Sequence, residues 1–234
     1  MENYTATAEF YDLLQATQHL ALAERLAQRW LGRPAVGVLD VGAGTGLATA
    51  MLAHVVRVPV HAIEPAGPMR SVLLSRLAGR PELLAHVRVH SRPVQELDLR
   101  GVADAALCLN TMGCLASGER AAALAAIRTA LVPGAVLIVQ RPPDAVGPER
   151  RPLPAWHLGG DVYGGEVLTT PEGSGRVRWS FVYRVRRGGD VLREVSEDFI
   201  GYLTALDDFV AELQRAGFAP TAFDDPDIVI AYAI

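Results

Sequence analysis

Two carboxylates and a run of glycines carry the first chemistry in this sequence. Asp40 closes the apolar run VGVLDV, Gly42, Gly44 and Gly46 follow at alternate positions, and a second apolar run from Val58 to Ile63 ends in Glu64. Glycine tolerates positive φ and has no Cβ, so a bound molecule can come close to the backbone of such a turn. A helix starting there adds unpaired N–H groups and a positive dipole end. A carboxylate closing the second strand can accept hydrogen bonds from both hydroxyls of a ribose. The pattern describes a ligand seated on the turn, with Glu64 beside it.

The glycine spacing discriminates between ligands. In the dinucleotide fingerprint GxGxxG the last glycine sits where helix packs on strand; here Leu47 occupies that place and Gly46 comes one residue early, which weighs against an NAD-dependent oxidoreductase. All 22 basic residues are arginine, so a Walker loop and Schiff-base or pyridoxal chemistry on a lysine are excluded. The segment DVGAGTG resembles motif I of the class I S-adenosylmethionine-dependent methyltransferases, an acidic residue followed by GxGxG. Further segments extend the likeness. Met69 after Glu64 matches an ExSxxM-like pattern, LNTMGCL (109–115) looks like the segment after strand four of small-molecule and sugar-amine N-methyltransferases, LVPGAVLIV (131–139) matches L-x-P-G-G-x-L-x-I, and RAGF (215–218) is the usual end of a later helix.

This resemblance implies S-adenosylmethionine as cofactor and a small-molecule acceptor. It assigns the cofactor to Asp40, Gly42, Ala43, Gly44, Gly46, Glu64, Pro65, Met69, Ser91, Pro93, Val94, Asn110 and Thr111. Glu64 takes the ribose, Met69 packs near the adenine, and Asn110 faces the methionine part. One position departs from the pattern. Many relatives carry Asp one or two residues after strand three to accept from the adenine amino group, and Arg92 and Pro93 stand there instead. Arg has no acceptor and Pro no N–H, so Ser91, Gln95 or a backbone carbonyl would have to serve. Structural readings compete at several sites. Met69 also suits core packing, Asn110 a strand-end turn and Tyr11 the buried side of an amphipathic helix.

Methyl transfer from a sulfonium needs little from the protein. In-line positioning supplies about 7 to 11 kcal/mol, whereas a general base adds only about 10² to 10⁴-fold. Candidate bases or acceptor contacts are Tyr11, His157, Tyr163 and Glu197. The competing readings are a surface His157 beside Trp156 in a Pro-rich loop and a Glu197 paired with Arg193. His54, His61 and His86 border predicted elements and look structural.

These residues need a frame. The apolar runs ending at Val41, Ile63, His90, Leu109 and Gln140 alternate with helices, implying a parallel, doubly wound α/β sheet with ligands at the carboxyl ends of its strands; the resemblance implies that it is the mostly parallel, seven-stranded, Rossmann-like sheet of that family. One or two helices from Thr5 to Trp30, stopped by Gly32 and Pro34, precede the sheet, and the resemblance implies that they fold over the cofactor as a lid. Pro65 and Pro68 open a helix through Leu77, and Ser117 caps another to Leu131. Arg141 to Pro154 reads as loop. Beyond it, Val177, Trp179, Phe181, Tyr183 and Val185 alternate with polar residues, Arg187-Gly188-Gly189-Asp190 turns, and Val191 to Phe199 returns, an antiparallel insert that the resemblance implies to be a substrate wall or a homodimer surface. Thr204 with Asp207 resembles a capping box for a helix closed by Gly217, and Ile228 to Ala233 is expected antiparallel beside strand five. The chain is thus expected to be a single domain over 1–234, divided into lid 1–34, cofactor core 35–141, insert 142–204 and closing segment 205–234.

Composition agrees with this frame. A 234-residue chain that is 50% hydrophobic can bury its own core. Cys108 and Cys114 suggest neither a disulfide framework nor a metal site, and a reduced, cytoplasmic setting is expected. MENYTATAEF lacks the pattern of a secretory signal, and no run spans a membrane. Net charge −4 with dispersed arginine argues against nucleic acid. The second functional reading, prompted by Arg92 and Pro93, is a non-methylating or binding protein on the same fold.

Overall fold

A computed structural model describes residues 4–234 of the chain; the first three residues of the expected lid lie outside them. Helix α1 (Thr7–Leu26) continues into a π-helical turn, Ala27–Leu31, and stops at Gly32 with φ +67°. Then come β1 (Val38–Val41), α2 (Leu47–Val55), β2 (Val60–Ile63), α3 (Gly67–Ala78), the short α4 (Pro81–Leu84), β3 (Val87–His90), β4 (Ala103–Cys108), α5 (Ser117–Ala130) and β5 (Leu131–Gln140). Four long strands follow, β6 (Glu149–Leu158), β7 (Asp161–Gly173), β8 (Arg176–Arg187) and β9 (Asp190–Tyr202). Helix α6 (Leu206–Arg215) leads to β10 (Phe218–Asp225) and β11 (Ile228–Ala233).

The central sheet has the order β10-β11-β5-β4-β1-β2-β3. The strands from β1 to β5 run parallel, and β11 lies antiparallel against β5, with Ile230 opposite Ile138. This is the doubly wound sheet expected from the alternating pattern, with the seven strands that the resemblance implies. β1 and β2 are buried at every residue, which is why they appear in the sequence as unbroken apolar runs. Apolar clusters cover both faces of this sheet. Strand order reverses beside β1, which has β2 on one side and β4 on the other, and such a switch point opens a crevice at the carboxyl ends.

Strands β6 to β9 form a separate antiparallel sheet in that order. Its inward face packs on α1 through Leu153, Val167, Tyr183 and Val185 around Phe10 and Leu14, with the Phe10 and Tyr183 rings stacked at 4.7 Å. Its outer face carries ion pairs, among them Arg150 and Arg184 on Glu166.

Three local expectations are corrected. The Pro-rich stretch is not loop throughout, since β6 begins at Glu149 and runs through Pro152 and Pro154; it is an edge strand, where a missing N–H costs no ladder bond. Ser117 does not cap α5. The cap position is Ala116, whose N–H donates to Glu119 (3.0 Å), and the Ser117 hydroxyl donates instead to Glu212. Thr204 likewise caps nothing, because Ala205 holds the cap position of α6 and the Thr204 hydroxyl accepts from Arg120 (2.9 Å), which is buried against Glu212. No helix among the described residues is long and apolar enough to cross a membrane.

Candidate active site

The glycine turn leaves β1 with Gly42, Gly44 and Gly46 at φ +75°, +57° and +79°. Each glycine answers a different demand. A Cβ on Gly42 would fall 2.0 Å from Thr111 Oγ1, and one on Gly46 would press on Leu73 of α3 at 2.8 Å, so these two permit close packing within the protein. At Gly44 the nearest atom to a Cβ is 4.0 Å away, and this glycine faces open cavity. The Gly42 and Ala43 N–H groups both donate to Ile63 O at 3.0 Å, which ties the turn to the end of β2.

Glu64 stands across from the turn and is 6% exposed. Its carboxylate accepts from Gly44 N–H and Ala66 N–H, both at 2.7 Å. Burial raises its pKa, while these two N–H groups and Arg70 act the other way. Two acceptor oxygens retain lone pairs for further donors. Asp40 lies deeper. It accepts from the Thr49 hydroxyl (2.5 Å), and burial raises its pKa to about 6, so it braces the first turn of α2 under the glycine segment.

On the other side of the switch point, Asn110 closes β4 with φ +52°, a conformation asparagine tolerates better than most side chains, and its N–H donates to Gln140 Oε1 (3.0 Å). The Thr111 hydroxyl lies 3.1 Å from Val41 O and 2.9 Å from Leu109 O, joining the two strand ends.

Helix α1 roofs the crevice. Asp12 accepts from the Thr45 hydroxyl (2.6 Å) and pairs with Arg76, whose Nε also donates to Thr45 O (3.0 Å), so three side chains clamp lid, glycine turn and α3 together. Thr7, Tyr11, Gln15 and His19, four residues apart, present one face to the cavity. Burial pushes the Tyr11 hydroxyl far above its usual pKa, so at neutral pH it is a hydrogen-bonding phenol and not a base.

These elements enclose a cavity of about 830 Å³. Its floor is Gly42, Gly44, Glu64, Pro65, Met69, Asn110 and Thr111, and Tyr11 overhangs it. Ala43 and Asp40 line a smaller chamber beneath the lid. The far wall comes from the antiparallel sheet, where register places Glu149, Thr169, Trp179 and Phe199 in one row and Arg151, Val167 and Phe181 in the next. Gly201 lets the Trp179 ring lie over the backbone, because a Cβ there would meet the ring at 2.1 Å.

Several predicted site residues lie elsewhere. His157 is exposed on β6 and Tyr163 packs on Phe10 (5.9 Å between ring centroids); neither lines the cavity. Glu197 pairs not with Arg193, which meets Glu9, but with the N-terminus of α1, accepting from Thr5 and Thr7 N–H at 2.8 Å. Ser91 is exposed, Pro93 half-buried and Val94 buried in the core under the sheet, all outside the cavity lining. Cys114 is exposed and lines the cavity. Residues not anticipated are Tyr4, Gln15, His19, Glu149 and Arg151. The four-residue spacing from Tyr11 would have found Gln15 and His19.

Residues 38–134 match the family model described as methyltransferase domain. Among curated proteins none matches significantly. Several solved structures share the fold. CalS10, an amino pentose methyltransferase from Micromonospora echinaspora, is 23% identical, with 93% of this chain and 91% of that one covered at a TM-score of 0.73. The sugar N-methyltransferase KedS8 from Streptoalloteichus sp. is 20% identical over 99% and 88%, also at 0.73. Streptomyces venezuelae DesVI is 18% identical over 99% of both chains at 0.81. The glycine turn sits at the switch point of a Rossmann-like α/β sheet, the fold shared with these solved structures. Within it, residues 38–134 match a methyltransferase domain, which supports methyl transfer as the chemistry of the crevice.

Proposed function

We propose that the chain methylates a small-molecule acceptor of secondary metabolism in the cavity between the glycine turn and the antiparallel sheet. The observation that carries this is the continuity of one cavity, from Gly44 and Glu64 at one end to Trp179, Phe181 and Phe199 at the other. The solved structures named above include an amino pentose methyltransferase and a sugar N-methyltransferase, which supports a compact natural-product acceptor. When bound, S-adenosylmethionine supplies a methyl group already activated on a sulfonium. The residues present fit it: Gly44 leaves space where a side chain would project, Glu64 has acceptor capacity for ribose hydroxyls, and Met69 and Pro65 offer apolar surface beside Glu64.

The chain then binds, orients and excludes water. Asp12, Thr45 and Arg76 hold the lid over the glycine turn, and Glu197 fixes the start of the lid helix. The acceptor rests on the aromatic wall, with Glu149 and Arg151 at its polar edge. No strong base is required: Tyr11 stays protonated, and His157, Tyr163 and Glu197 take no part in proton transfer. The test is transfer of label from methyl-labelled S-adenosylmethionine to a panel of amino sugars, aromatic amines and phenols. Labelled product from at least one acceptor is expected, and its formation should fall at least tenfold in Trp179→Ala. Label transfer unaffected by Trp179→Ala would move the acceptor off this wall.

A further inference from the structure

A second groove, of about 980 Å³, lies between the C-terminal part of α1, the length of α2 and the end of α3, and it shares no lining residue with the 830 Å³ cavity. Its floor is apolar. Ala27 and Leu31 of the π-helical turn, Ala50 of α2 and Val56 just beyond α2 are all buried there. The rim is cationic: Arg33, Arg57 and Arg80 are exposed on it, Arg76 forms part of its wall, and Glu24 is the single carboxylate in the lining among the described residues. Arginines near helix ends often serve the last carbonyls, as Arg128 does for Leu131 O and Arg215 for Ala211 O. Arg33, Arg57 and Arg80 do not. Among the described residues none of these three side chains has an ion pair or a hydrogen bond, so three guanidinium forks border an apolar hollow in a chain whose net charge is −4.

We propose that this groove is a regulatory site for an organic phosphate with a compact apolar body. A planar guanidinium pairs with phosphate through two parallel N–H···O bonds, and the apolar floor takes the body, a combination that suits a small-molecule site of this volume. Arg76 links the groove to the lid. Its Nε donates to Thr45 O (3.0 Å) and it pairs with Asp12, while the same side chain lines the groove. A phosphate bound beside Arg76 competes with Asp12 for the guanidinium and repels the Asp12 carboxylate, so occupancy of the groove loosens α1 from the glycine turn. The coupling is reciprocal, and whatever tightens the clamp weakens the phosphate.

Calorimetric titration of this chain with 1-naphthyl phosphate tests the site, and limited proteolysis tests the coupling; neither readout needs the cofactor, so methyl transfer is not presupposed. The compound should bind one-to-one, roughly tenfold or more tighter than inorganic phosphate, which offers the head alone, and than 1-naphthol, which offers the body alone. The double variant Arg57→Ser/Arg80→Ser should lose roughly tenfold in affinity at an unchanged melting temperature, and Arg57→Lys/Arg80→Lys should keep part of it. Saturating 1-naphthyl phosphate should speed cleavage within α1 by roughly twofold or more in the wild type and not in the Ser variant. Binding that survives in the Ser variant, or that inorganic phosphate reproduces in full, overturns the site, and binding that leaves cleavage of α1 unchanged overturns its regulatory role. A polyglutamate peptide that binds this rim where 1-naphthyl phosphate does not would give the groove to an acidic protein surface and overturn the small-molecule occupant.

Discussion

In the proposed cofactor site, Glu64 is the residue on which recognition would turn. Its two hydrogen bonds from Gly44 and Ala66 preorganise a carboxylate that is otherwise desolvated, so any ribose hydroxyl reaching it meets a fixed acceptor. Glu64→Ala should weaken S-adenosylmethionine binding by about 1.5 to 3 kcal/mol in a titration, with the unliganded melting temperature measured alongside because the carboxylate also holds the turn. Unchanged affinity in a folded variant would place the ribose elsewhere. A second residue-scale prediction concerns acid. His61 is buried beside His90, Nδ1 to Nε2 3.1 Å, and burial, His90 and Arg88 lower its pKa to about 4. Between the ordinary histidine value of about 6.5 and about 4, the unfolded chain binds more protons than the native state. The contribution of His61 is therefore complete above about pH 6.5 and is lost as the pH falls toward 4. Asp40, raised to about 6, binds its proton in the native state first and opposes this slope. After discounting for solvent screening at the half-buried His90, the loss should be about 1 to 2 kcal/mol between pH 7 and pH 4.5. Urea unfolding of His61→Gln should lack it; the same acid slope in the variant would contradict the assignment.

At the scale of elements, the lid is held by a few polar contacts laid over an apolar seam. Asp12→Ala breaks the tie to Thr45 and Arg76, but Phe10 and Leu14 stay buried against the antiparallel sheet. Its expected effect is a cofactor affinity lowered by about 1 to 2 kcal/mol, together with faster proteolysis within α1, while far-ultraviolet circular dichroism stays native. A lid that neither loosens nor weakens binding would refute the clamp. The same elements show what a sequence can and cannot disclose. Strands β1, β2, β4 and β5 are legible because burial on both faces writes a plain apolar run between Gly and Pro punctuation, while β3, partly exposed at the sheet edge, alternates Val with Arg and His. β6 was not legible, because Pro152 and Pro154 look like loop when the edge position that tolerates them is unknown. β7 was hidden by Gly164 and Gly165. Those glycines suggest a turn, yet a Cβ on Gly165 would lie 2.1 Å from Val182 O, so it serves close backbone packing instead. Ser117 and Thr204 look like caps until the buried Arg120 and Glu212, distant in sequence, claim their hydroxyls.

For the whole molecule, the cofactor half is written in local motifs, and the acceptor half is assembled from distant segments. Gly42, Gly44, Glu64, Asn110 and Thr111 converge because each follows a strand of one parallel sheet, a placement that alternating strands and helices already imply. The acceptor wall depends on the register of the second sheet and on how α1 lies across it. That is why Glu197, plausible in sequence as an acceptor contact, instead caps the lid, and why Glu149 and Arg151 went unnoticed in a stretch that resembled loop. The crevice at the switch point is the proposed S-adenosylmethionine site, and calorimetry on this chain tests that assignment most directly. S-adenosylmethionine or S-adenosylhomocysteine should bind with one-to-one stoichiometry at micromolar concentrations while NAD gives no heat; binding of NAD with neither adenosyl compound retained at high micromolar concentration would contradict it.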